Sequence, residues 1–190
     1  MDVLFGVATH DFVLLASDMY FRNNVIVSKT DLVRFTKISE RAAVIASGNQ
    51  GDCERTIRYN LESLRFQEAA NGLVLTEQTF ASRLQKHIHS LVRRKPVEVT
   101  ALIGGISSGS GLLYTIDQYG ALTTTKYAGT GYAGNLFLSA MDSKYRPDMS
   151  EEEAIDTIRS IYEGIKNKLV INYGNLHLCL ITRNGMREIK

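Results

Sequence analysis

Two glycine-rich segments carry patterns that are typical of cofactor-binding or catalytic turns, and the first is residues 129–134. Its sequence, Gly-Thr-Gly-Tyr-Ala-Gly, matches the G-x-G-x-x-G pattern of dinucleotide-binding loops. That pattern binds a dinucleotide within a parallel β-α-β unit in which an acidic residue ends the second strand. Here another predicted helix follows, so Asp148 and Glu151 fall in a turn and at a helix start. We therefore interpret the segment as a glycine turn that lets a helix pack closely, and we expect no bound cofactor.

The second segment, residues 105–109, matches the G-x-S-x-G pattern in which a nucleophilic serine lies on a sharp turn. A helix must follow that serine directly, because the turn joins a strand to a helix. In this chain Ser110 and Gly111 follow, and then an apolar stretch that is typical of a strand. The sequence therefore favours a flexible hairpin loop over a catalytic serine.

The side chains that often bind metals are poorly spaced for that purpose. His87 and His89 are two residues apart on a predicted helix, so they point away from each other. Cys53 and Cys179 are far apart in the sequence and match no zinc or disulfide pattern. We expect no metal site, and the two cysteines favour a reduced intracellular compartment.

One basic cluster, Arg93-Arg94-Lys95, ends the same predicted helix. It could contact phosphates, but cations at a helix C-terminus are also stabilised by the helix dipole. The net charge is only +2, from 22 Lys and Arg against 20 Asp and Glu, and no aromatic platform flanks the cluster. A solvated helix end, or a contact with an acidic partner surface, explains the cluster better than nucleic-acid binding.

Length and composition are typical of one globular domain. The 190 residues are 44% hydrophobic and 22% charged, which is enough for a sizeable core and too apolar for a disordered chain. No linker, repeat or low-complexity tract divides the chain, and no apolar run is long enough to cross a membrane. The N-terminus lacks the features of a secretory signal, so we expect no export.

Local patterns predict the elements that must position these residues. Short β-branched or aromatic stretches predict strands, and apolar residues at spacings of three and four predict helices. The predicted strands are residues 3–8, 12–17, 42–47, 97–103, 112–116, 122–127, 176–182 and 186–189. The predicted helices are residues 51–71, a helix that follows Thr76 and ends before Pro96, one from near Tyr132 towards Asp142, and residues 150–169. Thr76 is a good N-cap, and Ser150 with Glu153 forms a capping box.

The order of the elements predicts the architecture. Strands in blocks joined by hairpins favour antiparallel sheets, and two separate helix pairs can cover two outer faces. The sequence therefore predicts the α+β class and a four-layer sandwich, with two sheets inside and helices outside.

Several spaced blocks of the sequence resemble the β subunits of the 20S proteasome. These blocks are residues 6–8, 12–18, 46–53 and 128–131, together with Arg34. Their spacing agrees with that family without gaps up to residue 131, so the resemblance covers essentially the whole chain. It implies a four-layer αββα sandwich of the N-terminal-nucleophile hydrolase type, as a single proteasome β-type domain over residues 1–190.

The resemblance also implies that the chemistry of that family has been lost. In active members an N-terminal threonine attacks the scissile carbonyl, while a lysine and the free amine handle protons. The threonine position corresponds to Asp2, before which we expect no propeptide, and the lysine position corresponds to Arg34. The family's aspartate is kept as Asp18, its serine corresponds to Thr130, and its second aspartate falls near Ile171. Nucleophile, base and one acid are missing together, so we expect no catalytic, cofactor-binding or metal-binding residue in this chain.

Residues 1–6, 169–172 and 183–185 further resemble the beta-4 type of β subunit, which is also called beta type-2. The resemblance implies a non-catalytic structural subunit that builds the β ring of the ATP- and ubiquitin-dependent protein-degradation machine. Its implied partners are β subunits of the same and the opposite ring and the α ring, and it allows assembly chaperones; we expect neither nucleic acid nor a membrane. The expected location is cytoplasm and nucleus.

An active amidohydrolase of the same fold, matured by a cleavage that the sequence does not reveal, is the alternative interpretation. Its candidate nucleophiles are Thr9 and Ser17. Both lie inside the first predicted hairpin, where a cut would remove a strand from the sheet. The sequence therefore favours the non-catalytic subunit.

Overall fold

The structure is a computed structural model that describes residues 2–23, 26–171 and 173–189. Within those ranges the strands are β1 (Leu4–Ala8), β2 (Phe12–Asp18), β3 (Phe21–Asn23), β4 (Ile26–Lys29), β5 (Phe35–Ser39), β6 (Ala42–Gly48), β7 (Val99–Gly105), β8 (Leu112–Ile116), β9 (Leu122–Thr125), β10 (Tyr127–Gly129), β11 (Leu176–Thr182) and β12 (Gly185–Ile189). The helices are α1 (Gln50–Asn71), α2 (Glu77–Leu91), α3 (Gly131–Lys144) and α4 (Glu151–Lys168). Two helix pairs separate three blocks of strands, as the sequence predicted.

In the part of the chain that the structure describes, ten strands form two five-stranded sheets. The first sheet has the order β10-β1-β2-β11-β12, and the second has the order β5-β6-β7-β8-β9. Strands β3 and β4 form a separate two-stranded hairpin. Every pair of neighbouring strands is antiparallel. The antiparallel α+β class is therefore confirmed.

The two sheets pack face to face on an apolar layer. Val13 and Leu15 of β2 lie in this layer with Leu102 of β7 and Leu113 of β8. Successive strand side chains point to opposite faces, so the alternate β2 residues, such as Leu14, face away from the other sheet. Strand β2 is buried on both faces, which explains why its sequence is a continuous apolar run rather than an alternating one.

Each sheet carries a helix pair on its outer face. Helices α1 and α2 cover the second sheet, where Ile57 and Leu84 pack with Ile103. Helices α3 and α4 cover the first sheet, where Phe137 stacks on Phe5 with ring centroids 4.2 Å apart. The protein is therefore a four-layer αββα sandwich, as predicted.

Helix ends follow the capping residues that the sequence carries. Thr76 and Ser150 each accept a hydrogen bond from the backbone three residues on and complete a capping box, with Thr79 and Glu153 as the reciprocal partners. Gly72 ends α1 with φ at 67°, a left-handed conformation that favours glycine. The predicted starts of α2 and α4 are thus confirmed.

The structure differs from the prediction in two places. Strands β3, β4 and β5 were not predicted, because they are only three to five residues long and none of them contains more than two consecutive apolar residues. The predicted strand at residues 122–127 is divided at Lys126: β9 pairs with β8 in the second sheet, and β10 pairs with β1 in the first. The chain therefore crosses between the sheets at this point, and a run of threonines carries no signal for such a crossing.

Residues 129–134 form the close contact between β10 and α3 that the glycines were expected to allow. A Cβ atom at Gly134 would lie 2.4 Å from the carbonyl carbon of Gly129. The strand and the helix therefore approach each other more closely than any side chain permits. This geometry confirms the interpretation of the segment as a packing turn.

Residues 105–109 connect β7 to β8, and no helix follows Ser107. The Ser107 hydroxyl donates a hydrogen bond to the buried Glu77 carboxylate, and its backbone N–H donates to the same oxygen at 3.3 Å. The segment is the hairpin loop predicted from the sequence, and Glu77 anchors it to the start of α2.

Replacement of Gly134 with Ala should destabilise the protein. The new methyl group would collide with the backbone of Gly129, so that α3 and β10 would have to move apart. We expect a loss of about 1–3 kcal/mol or more in the free energy of unfolding. The matched control is Gly164→Ala in α4, where a Cβ atom would meet nothing within 4 Å. That variant should gain about 0.5–1 kcal/mol, since alanine favours the helix. Denaturant unfolding of both variants measures the difference, and equal effects would contradict the close contact.

Candidate functional site

Four charged side chains meet at one end of the sandwich, beside the start of β1. They are two acids, Asp2 and Asp18, and two arginines, Arg22 and Arg34, with side chains that are 13%, 0%, 5% and 3% exposed. The resemblance singled out Asp2, Asp18 and Arg34, and the structure brings these three residues together. The four charges sum to zero, so this charge network is neutral although it is nearly excluded from water.

Asp18 lies at the end of β2 and is held on both carboxylate oxygens. Its Oδ1 accepts a hydrogen bond of 3.1 Å from the backbone N–H of Val3, and its Oδ2 accepts one of 2.8 Å from Arg22. Burial raises the pKa of this carboxyl group, against the opposing influence of Arg34 and the Val3 N–H. The cations therefore offset a desolvation cost that would otherwise favour the neutral acid.

Arg34 lies just before β5 and reaches four acceptors. Its Nη2 is 2.9 Å from Asp2 Oδ1 and donates to the Tyr20 carbonyl at 2.8 Å. Its Nε donates to the Asp18 carbonyl at 3.2 Å and lies 3.6 Å from Asp18 Oδ1. A guanidinium group supplies several donors in a planar fork and keeps its proton at all physiological pH values. It binds these groups firmly but cannot accept a proton as a base.

Arg22 is a member of the charge network that the sequence analysis missed. Its guanidinium group lies 5.4 Å from the ring centroid of Tyr20 and 5.2 Å from that of Tyr173. Such contacts between a cation and aromatic faces are favourable, particularly away from water. Arg22 follows Asp18 by four residues, but that spacing indicates contact only in a helix, and the chain here is extended.

The two remaining positions that the resemblance singled out do not join the charge network. Thr130 is the N-cap of α3, yet its hydroxyl makes no capping hydrogen bond. Its buried oxygen has no hydrogen-bond partner among the described residues. Ile171 packs half-buried against the core beneath α4 and carries no ionisable group.

A cleft opens beside Asp2, with a volume of about 850 Å³. Its lining includes Asp2, Gly48, Glu98, Asp117 and Thr130. The volume falls within the range of sites that bind small molecules. The Asp2 carboxylate in this lining is bound by Arg34. A carboxylate is not the hydroxyl or thiol with which the family attacks its substrate.

The alternative nucleophiles, Thr9 and Ser17, are both buried in the β1–β2 hairpin. The Thr9 hydroxyl is occupied in the β1–β2 turn, where it donates to the Phe12 carbonyl at 3.1 Å and accepts from the Phe12 N–H at 3.2 Å. Ser17 is completely buried in β2, between β1 and β11. A cleavage that exposed either residue would remove β1 from its place between β10 and β2 in the first sheet.

The candidate metal ligands are also placed in structural roles. His87 lies between α1 and α2, where its Nδ1 is 2.6 Å from the Asn60 amide, and burial lowers its pKa. Cys53 and Cys179 are free and buried, and burial raises the pKa of each thiol to about 12. Among the described residues no group of three or more His, Cys, Asp or Glu side chains is arranged to hold a metal ion.

The sandwich of two antiparallel sheets between helix pairs, with its site at the start of β1, defines the fold of the N-terminal-nucleophile hydrolases. The family model described as "Proteasome subunit" matches residues 3–181. The chain therefore belongs to the proteasome subunit family. None of the described helices is both long and apolar enough to cross a membrane.

Curated relatives match over nearly the whole chain. The chain is 26% identical to "Probable proteasome subunit beta type-4" of Encephalitozoon cuniculi, over 98% of this chain and 94% of that protein. It is 29% identical to "Proteasome subunit beta type-2" of Oryza sativa subsp. japonica, over 99% of this chain and 89% of that protein. It is 24% identical to "Proteasome subunit beta type-4" of Saccharomyces cerevisiae, over 100% and 97%. These two types are the ones that the sequence resembled.

Replacement of Arg34 with Ala should destabilise the protein strongly, because it removes the cation that pairs with the carboxylates of Asp2 and Asp18 in a buried site. Breaking a buried ion pair in this way costs about 3–5 kcal/mol. The matched control is Arg58→Ala, which removes an exposed partner of Glu62 and should leave stability almost unchanged. Denaturant unfolding at pH 7 measures both variants, and a loss in Arg34→Ala no larger than that of the control would contradict the structural role.

The same variant should change how stability depends on pH. The pKa of Asp18 is already raised by burial, and loss of Arg34 removes the first of the influences that lower it. A folded-state pKa above the unfolded value means that stability falls as pH rises through the folded pKa. Arg34→Ala should therefore recover part of its lost stability between pH 7 and pH 5, relative to the parent chain. Unfolding curves at both pH values test this, and a parallel pH dependence in the two proteins would contradict it.

Proposed function

We propose that this chain is a non-catalytic β subunit of the 20S proteasome core, of the beta-4 or beta type-2 kind. One observation carries the proposal: the side chain at the nucleophile position is the Asp2 carboxylate, 2.9 Å from Arg34. The family fold is complete around this pair, so the subunit keeps the shape of an active member without its chemistry. Membership of the family and similarity to both subunit types support the role.

The chemical argument rests on two positions. An N-terminal-nucleophile hydrolase needs a hydroxyl or thiol that loses its proton to a nearby base as it attacks. Asp2 has no such group, and Arg34 cannot take a proton. Because the residues of a catalytic set act as a unit, loss of the nucleophile alone costs on the order of a millionfold in rate. The cleft beside Asp2 should therefore not cleave peptides.

The proposed role is architectural. The chain would occupy one position in a β ring, and its two outer helix layers leave their far faces available for neighbours in the α ring and in the opposite β ring. Permanent interfaces of this kind are large and relatively apolar. Assembly chaperones that hold the chain before it enters the ring fit the same role, as does a location in both cytoplasm and nucleus. The particle would degrade proteins in the ATP- and ubiquitin-dependent pathway, with catalysis supplied by other subunits.

An active hydrolase matured by cleavage is the second candidate, and Thr9 and Ser17 are its only named nucleophiles. Their positions in the β1–β2 hairpin weigh against it. A cleavage that made either residue the N-terminus would cut β1 off from the chain and remove its pairing with β2 and β10.

Isolation of the tagged chain from its own cells, followed by native mass spectrometry, should find it in a four-ring particle. We expect two copies in each particle and an N-terminal segment that still includes Asp2. A covalent probe that reacts with N-terminal threonine should label other subunits and leave this chain unlabelled. A monomeric chain, or one trimmed to Thr9 or Ser17 and labelled by the probe, would overturn the proposal.

A further inference from the structure

A second cavity lies at the end of β1 that is remote from Asp2. Its volume is about 340 Å³, which falls at the lower end of the range for small-molecule sites. Its walls come from the turn between β1 and β2, the loop before β8, the end of β9, and the segment after α3. Neither the charge network nor the proposed role in a ring makes use of it.

Lys126 occupies the wall where the chain crosses from one sheet to the other. Its carbonyl accepts a hydrogen bond of 2.7 Å from the Ala8 N–H, and Thr125 Oγ1 donates to the Tyr127 carbonyl at 2.8 Å across the bend. The Lys126 ammonium group lies 6.0 Å from the ring centroid of Tyr145, whose hydroxyl donates to the Ala8 carbonyl at 2.9 Å. Hydrogen bonds therefore fix the backbone of Lys126, while its side chain is exposed and passes beside the Tyr145 ring.

The charged side chain in the lining of this cavity is cationic. The lining contains Lys126 and His10 but no Asp or Glu, and no described carboxylate lies within ion-pair distance of the Lys126 ammonium group. Asp11, which follows His10 in the sequence, contacts Arg183 at 3.2 Å instead. Asp142 likewise accepts a hydrogen bond of 2.6 Å from the Tyr127 hydroxyl. An ammonium group without a counter-ion favours an anionic ligand.

The other walls are apolar or carry hydroxyl groups. Leu112 and Leu113 supply aliphatic surface, the Tyr145 ring supplies aromatic surface, and Ser110 and Thr124 supply hydroxyls. Binding sites for small molecules combine such apolar walls with a few placed polar groups that fix the orientation of the ligand. We propose that this cavity binds a small organic anion, with its carboxylate or phosphate on Lys126 and its apolar part against the leucines.

Isothermal titration of the full-length chain with three probes of similar size tests the proposal. Phenyl phosphate and benzoate share an aromatic ring and differ in their anionic group, and benzyl alcohol is their uncharged counterpart. At least one anion should bind saturably, and more tightly than benzyl alcohol. Whichever of the two anions binds better identifies the preferred group as phosphate or carboxylate.

Two variants and one control make the test specific to the cavity. Lys126→Met should weaken binding of that anion by about tenfold or more, as expected for loss of a charged hydrogen-bond partner. Thr124→Phe should also abolish binding, because it fills the cavity without changing its charge. The control, Lys37→Met, removes an exposed lysine that pairs with Glu40, and it should bind like the parent chain. Circular dichroism confirms that each variant is folded.

Three results would overturn the proposal. These are the absence of saturable binding by either anion, equal affinity in Lys126→Met and the parent chain, and binding that Thr124→Phe leaves unchanged. The last result would indicate anions attracted to the outer surface only. None of them would bear on the subunit role, which depends on assembly and on the Asp2 position.

Discussion

The charge of the buried Asp18 carboxylate is the constraint on which the site and the surrounding chain depend. A carboxylate without access to water is costly unless cations and hydrogen-bond donors surround it. The fold provides Arg22 from the strand after β2, Arg34 from the segment before β5, and the N–H of Val3 at the start of β1. Arg34 also binds the carbonyls of Asp18 and Tyr20. The interactions that stabilise the Asp18 carboxylate thus connect the ends of β1, β2, β3 and β5, some of which are distant in the sequence.

The same constraint explains why the site stays ordered with a carboxylate at position 2 and a guanidinium group at position 34. A carboxylate at Asp2 adds a negative charge to a region that already contains Asp18. Arg22 and Arg34 supply two positive charges, so the charge network is neutral as a whole. The planar fork of Arg34 also contacts more acceptors than a lysine ammonium group reaches in one geometry. The site is therefore a self-consistent network of ion pairs and hydrogen bonds.

Much of the fold could be predicted because its signals are local. Ser150 and Glu153 mark the start of α4, and the continuous apolar run of β2 indicates a strand that is buried on both faces. The elements that were missed give weaker signals, since β3 to β5 are three to five residues long and none has more than two consecutive apolar residues. The crossing at Lys126 depends on which sheet each half of residues 122–127 joins, and that is a property of the tertiary structure. Of the site, Asp2, Asp18 and Arg34 were predicted by resemblance, whereas Arg22 was found only from its contacts.

The cleft beside Asp2 persists because the scaffold, rather than the catalytic residues, determines its shape. The three apolar layers that hold the sandwich together contain none of the four charged residues. Helix α3 packs against β10 through the contact between Gly129 and Gly134, and the chain passes from the second sheet to the first at Lys126. A large cleft is therefore expected in any chain with this packing, whether or not it catalyses a reaction. Function within this fold is decided by the site rather than by the scaffold, and in this chain the side chain that lines the cleft at position 2 is a carboxylate bound to the Arg34 guanidinium group.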